Sequence, residues 1–171
     1  MNLWIRNMKE LTKEPKEHPK YRAYFIGNMY LSSIQQGIQA AHVLQEMHNK
    51  YFFMSSGAAH ALFEWGRHDK TMILLNGGYA SALQELYENL LFWSFNGTEF
   101  PVAKFHEEHD SLNGALTSVG IILPESVYGI EVDLEDEYEL SREFIESTGF
   151  DFKENRHWCI ARAIKSLRLA S

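Results

Sequence analysis

The segment YRAYFIGNMYLSSIQQGIQAAHVLQEMHN, Tyr21 to Asn49, decides the fold. Tyr21 to Leu31 is an almost unbroken run of aromatic and aliphatic residues, the composition of a strand buried on both faces. Ser32-Ser33 then supplies the hydroxyls that cap helix starts. From Ile34 to Asn49, the residues Ile34, Ile38, Ala41, Val43, Leu44 and Met47 recur at helical spacing. Strand, tight turn and helix form the opening unit, and they predict an α/β fold.

Working outward, Ala58 to Glu64 reads as a short helix and Thr71 to Leu75 (TMILL) as a second strand, ending at Asn76-Gly77-Gly78. Tyr79 to Trp93 places Ala80, Leu83, Leu86, Tyr87, Leu90 and Leu91 on one stripe and predicts a second long helix. Phe100 to Phe105 and Leu116 to Leu123 read as third and fourth strands. The expected architecture is a four-stranded mixed sheet flanked by helices over residues 21–128. Residues 1–20, polar and carrying Pro15 and Pro19, read as an arm. Past Gly129 the composition changes. Glu131 to Glu139 (EVDLEDEYE) holds six acidic residues and no base. Asn155 to Ala170 is basic, with Trp158, Ala161, Ile164 and Leu167 at helical spacing. Residues 129–171 are therefore expected to form an acidic segment and a C-terminal amphipathic helix, packed on its own domain or on a second copy.

Bulk properties narrow the function classes. The chain has 171 residues, enough for one domain with a substantial core. Its single cysteine, Cys159, excludes an internal disulfide and a multi-cysteine zinc site, and fits a reducing compartment. No apolar run reaches the roughly 18–20 residues that span a bilayer, and the first residues leave no room for a signal peptide. A cytoplasmic location is expected, the host cytoplasm if the source is viral. The formal net charge of −7 disfavours an extended nucleic acid as partner, since phosphate binding draws on basic side chains.

Two segments together resemble type-2 peptidyl-tRNA hydrolases. In Ser32 to His42 (SSIQQGIQAAH), Gln39 and His42 match a Gln and a His of that family's first helix. Leu116 to Pro124 (LTSVGIILP) is similar to its final strand. A divergent bacterial and bacteriophage branch is closer still, echoed by Phe105, Glu107, Asp110, Leu112, Leu116 and Thr117. The resemblance implies the fold of that family over about 21–128. It also marks departures. The helix-start lysine falls on Gln35, and the family's aspartate- and arginine-bearing motif falls on His106 to Ser111 (HEEHDS). No Lys or Arg lies between Arg22 and Lys50.

The candidate ligand site follows from these segments: Ser32, Ser33, Gln35 and Gln39 at the helix start, His42 behind them, and Glu107 as a partner for ribose hydroxyls. Free backbone N–H groups and the positive dipole end favour an anion there, and glutamines read a ligand without adding charge. The bland alternatives are a serine cap, a solvated glutamine face and a half-buried histidine. If the chain is an enzyme, Asp110, Thr117 and Ser118 are its catalytic candidates. His106 to Asp110 lacks zincin spacing, so no metal is expected, and no cofactor. The expected function is a catalytically degenerate peptidyl-tRNA-hydrolase-like protein. It would bind a small nucleotide or other phosphate-bearing ligand, and in the phage-type branch sequester a host nucleotide signal. An atypical peptidyl-tRNA hydrolase or related hydrolase is one alternative, and a protein-interaction module another. A homodimer is among the assemblies considered. Because a polar face contributes little to stability, Gln35→Ala is expected to leave melting unchanged.

Overall fold

The computed structural model describes residues 19–108, 114–134 and 152–170. Most of the expected arm, part of the acidic segment, His109 and Asp110 lie outside the described residues. In chain order the elements are β1 (Tyr21–Gly27), α1 (Ser33–Tyr51), α2 (Gly57–Glu64), β2 (Met72–Asn76), α3 (Ala80–Trp93), β3 (Val102–His106), β4 (Leu116–Pro124), the single turn α4 (Glu125–Tyr128), α5 (Phe152–Lys165) and β5 (Arg168–Leu169).

The strands form a mixed five-stranded sheet in the order β3-β4-β1-β2-β5. β1 and β2 run parallel, and the other neighbours are antiparallel. The expected four strands are thus corrected to five. β5 has two residues, too few to show alternation, and it is held by β2 through Leu75↔Leu169 and Asn76↔Arg168.

Two apolar cores lie on opposite faces of the sheet, so helices cover both. On one face Ala40, Val43 and Met47 of α1, with Ala58 and Leu62 of α2, pack on Ala23, Phe25 and Ile122. On the other, Leu83 and Leu90 of α3 and Cys159, Ile160 and Ile164 of α5 pack on Ile26, Val119 and Ile121. The C-terminal helix is therefore built into the second core. It is also tied through Glu99: Arg156 Nε lies 3.0 Å from Glu99 Oε2, and His157 Nε2 lies 2.9 Å from Glu99 Oε1.

Two sequence expectations change here, and both bear on the site. The first strand stops at Gly27, although the apolar run continues to Leu31. Asn28 ends it: its Oδ1 accepts the Tyr30 N–H at 3.1 Å and its Nδ2 donates to the Leu116 carbonyl at 3.4 Å, an Asx turn that leaves Met29 and Tyr30 exposed. The second change is the rotation of α1. Ile34, Ile38 and Ala41, expected on its buried stripe, face outward, while Gln36 and Gln39 are buried. The buried residues of α1 are Gln36, Gln39, Ala40, Val43, Met47 and Tyr51.

Burial also sets a pH dependence. Cys159 is fully buried, and loss of hydration pushes its thiol from the ordinary value of 9.0 up to about 11. A pKa raised in the folded state favours the fold below the unfolded value and loses that contribution as pH rises through the folded one. Stability should fall by about 2 kcal/mol between about pH 9 and 11, with Tyr21 and Tyr24, also raised by burial, acting in the same direction. Urea melts from pH 8 to 11 check this: Cys159→Ala should flatten the slope, and a parent curve level to pH 11 would contradict it.

Candidate functional site

The helix start is a closed capping box. Ser32 Oγ accepts the Gln35 N–H at 3.4 Å, and Gln35 Oε1 accepts the Ser32 N–H and hydroxyl, each at 3.0 Å. Gln35 is exposed but turned back on the cap and has a structural task, which revises the expectation that its replacement leaves melting unchanged. Gln35→Ala should lower stability by about 0.5–1 kcal/mol, read as a fall of roughly 1–4 °C in melting temperature. No change would show that the box is frayed. Ser32, Ser33 and Gln35 are all exposed.

Beneath this cap the interface between α1 and the sheet is polar. Among the described residues six polar side chains are buried: Asn28, Gln36, Gln39, Ser94, Thr117 and Ser118. All but Ser94 gather here. A bulge in β4 contributes. Phe105 pairs with Ser118 and His106 with Leu116, so Thr117 is the extra residue. It is re-aimed toward α1, where its hydroxyl lies 3.2 Å from Gln39 Oε1 and 3.3 Å from the Phe105 carbonyl. One hydroxyl proton serves one of these acceptors at a time. Gln39 Nε2 donates in turn to Glu107 Oε1. A hydrogen-bonded chain thus runs from the half-buried Glu107 through Gln39 to Thr117.

Two atoms of this cluster have no hydrogen-bond partner among the described residues. Gln36, 4% exposed, donates from Nε2 to the Leu31 carbonyl at 3.1 Å, but its Oε1 has no partner. Ser118, 1% exposed, has a hydroxyl with no partner. A buried polar atom left unpaired costs about 1–3 kcal/mol, so natural cores rarely keep one without a use for it. Gly27 leaves room for Gln36: a Cβ there would lie 3.1–3.2 Å from its side chain, which would have to give by a few tenths of an ångström.

The expected residues divide accordingly. Gln39, Glu107, Thr117 and Ser118 come together. Ser32, Ser33 and Gln35 form the outer lip. His42 is exposed, its ring stacked on Phe105 at 4.4 Å and 11°. Asn28 was not anticipated, nor was the burial of Gln36 among the glutamines of the helix start. The stripe itself signals Gln36, since it stands four residues before Ala40 and seven before Val43.

The arrangement is suited to holding a polar group. The acceptors beside Thr117 are an amide and a backbone carbonyl, neither of them a general base. Among the described residues no group of three His, Cys, Asp or Glu could hold a metal, and no helix is long and apolar enough to cross a membrane. A separate cavity of about 180 Å³ on the opposite face is lined mainly by apolar side chains, including Leu123, Ile164 and Leu167. No family model matches this sequence, and no curated protein matches it significantly.

Proposed function

We propose that the chain is a binding protein for a small nucleotide or similar phosphate-bearing ligand, built on a type-2 peptidyl-tRNA-hydrolase-like scaffold without that family's chemistry. The observation that carries this reading is the cluster of buried neutral polar side chains under α1, with Gln36 Oε1 and Ser118 Oγ unpaired. Burying glutamines while exposing Ile34 and Ile38 works against stability, and such local conflicts concentrate at functional sites. The position supports it too. β1 and β2 are adjacent and parallel, and the helices that follow them, α1 and α3, cover opposite faces. Open α/β sheets hold ligands outside the carboxyl ends of their strands at such a switch point. Glu107, at the lip, suits ribose hydroxyls.

Binding is favoured over hydrolysis because, among the described residues, the Thr117 hydroxyl has an amide and a backbone carbonyl as its acceptors, and Gln35 supplies no positive charge for a tRNA phosphate. A protein of this kind lowers the free concentration of its ligand. In a phage setting that ligand would be a nucleotide signal of the host. A thermal-shift series with mononucleotides, cyclic dinucleotides and inorganic phosphate tests the reading. A ligand at one hundred times its Kd should stabilise by about 2.7 kcal/mol, a rise of roughly 5–11 °C. Turnover of a peptidyl-tRNA mimic that Asp110→Ala or Thr117→Ala abolishes would replace this reading with the enzyme one.

A further inference from the structure

The turns after β1 and β2 lie side by side and are bonded to each other. The Gly77 N–H donates to the Gly27 carbonyl and the Met29 N–H to the Gly78 carbonyl, both at 2.9 Å. On this double turn stand Tyr30 and Tyr79, 77% and 52% exposed, with ring centroids 5.2 Å apart and planes at 46°. The nearby Tyr79 side chain raises the Tyr30 phenol above its ordinary value.

Folding does not account for these rings. Both are exposed on a turn already fixed by backbone bonds. Tyr79 also occupies the N-cap of α3, where Ser, Asn or Asp would bond the helix N–H groups, and its side chain makes no cap bond. The first turn of α3 has no acidic residue, and its first intrahelical bond runs from the Leu83 N–H to the Tyr79 carbonyl at 3.0 Å. Tyr30 adjoins the polar cluster through its own backbone, since its N–H is held by Asn28 and the next carbonyl, Leu31, by Gln36. Exposed aromatic faces beside a polar cluster match a molecule with one flat apolar part and one polar part.

We infer that Tyr30 and Tyr79 form a stacking platform for a nucleobase, so that the ligand is a base-bearing nucleotide whose sugar and phosphate turn toward the lip of α1. This rests on the nucleotide reading above. Stacking on an aromatic side chain tolerates any base, because every base has a π-face. The platform therefore separates nucleotides from sugar phosphates and discriminates little between bases.

The full-length chain is titrated calorimetrically with AMP, UMP and ribose 5-phosphate, in parent, Tyr30→Ala, Tyr79→Ala and Tyr30→Phe forms. AMP and UMP should bind roughly ten- to a hundredfold more tightly than ribose 5-phosphate. The alanine variants, at exposed positions, should lose most of that difference, leave ribose 5-phosphate unchanged and melt like the parent. Tyr30→Phe should retain it. Equal affinities for AMP and ribose 5-phosphate in the parent, or AMP affinity unchanged in both alanine variants, overturn the platform and leave the polar cluster under α1 as the binding site. Absence of binding by all three compounds overturns the platform and the nucleotide reading together.

Discussion

Gly77→Ala should lower the unfolding free energy by about 3 kcal/mol, and the melting temperature by roughly 6–12 °C. A Cβ at this position would lie 2.4 Å from Ile26 Cγ2 and 2.4 Å from Leu83 Cδ2. Both are fully buried, so neither can swing into solvent. Ile26 is β-branched and stiff at χ1, and its strand is the middle of the sheet. Relief therefore requires the turn to move away from β1, which breaks the Gly77 N–H bond to Gly27 and disturbs the tyrosines above it. The usual gain from restricting the unfolded chain, about 0.4–1 kcal/mol, does not offset this. Chemical denaturation of the variant checks the figure, and a loss below about 1 kcal/mol would mean that the turn does not sit this close to β1.

Gly120 sets how far α1 descends onto the sheet. A Cβ there would meet Val43 Cγ1 at 2.7 Å, and Met47 Cε and Phe25 Cδ1 at 2.9 Å. Met47 can yield at its flexible end, whereas Val43 and the Phe25 ring cannot without moving α1. Gly120→Ala should cost about 2 kcal/mol, within the range for overpacked cores. It should also weaken ligand binding, since Gln36 and Gln39 ride on the same helix. Val43→Ala in the same chain should recover part of both losses, because it removes the closest atom. A double-mutant cycle showing strict additivity would contradict the contact.

The sequence makes the long elements legible and the site only half so. α3 was read closely, because Leu83 and Leu90 sit on a clean 3.6-residue stripe and are both fully buried. α1 was placed correctly along the chain and rotated wrongly. Hydrophobicity assigned Ile34 and Ile38 inward, and the glutamines at the polar bulge of β4 took the place instead. Asn28 was hidden inside an apolar run, whose strand it ends by hydrogen bonds that no periodicity reveals. Gln39 and Thr117 were named from a resemblance, and their partnership across the sheet–helix interface depends on long-range register. β5 gave no signal, since two residues carry no pattern.

The central claim is that the unpaired polar atoms under α1 are kept for a ligand at the expense of stability. Ser118→Ala tests it with one pair of melting curves, run without ligand and with the tightest-binding nucleotide. The substitution deletes the hydroxyl of a residue that is 1% exposed, a group with no partner among the described residues, and leaves the methyl-sized volume filled. The free variant should melt at or above the parent temperature, by up to roughly 2–4 °C, because an unsatisfied buried group is removed. The ligand-induced rise should shrink by more than half. A free variant that melts several degrees below the parent, together with an undiminished ligand shift, would show that Ser118 serves the fold and that the ligand, if any, binds elsewhere.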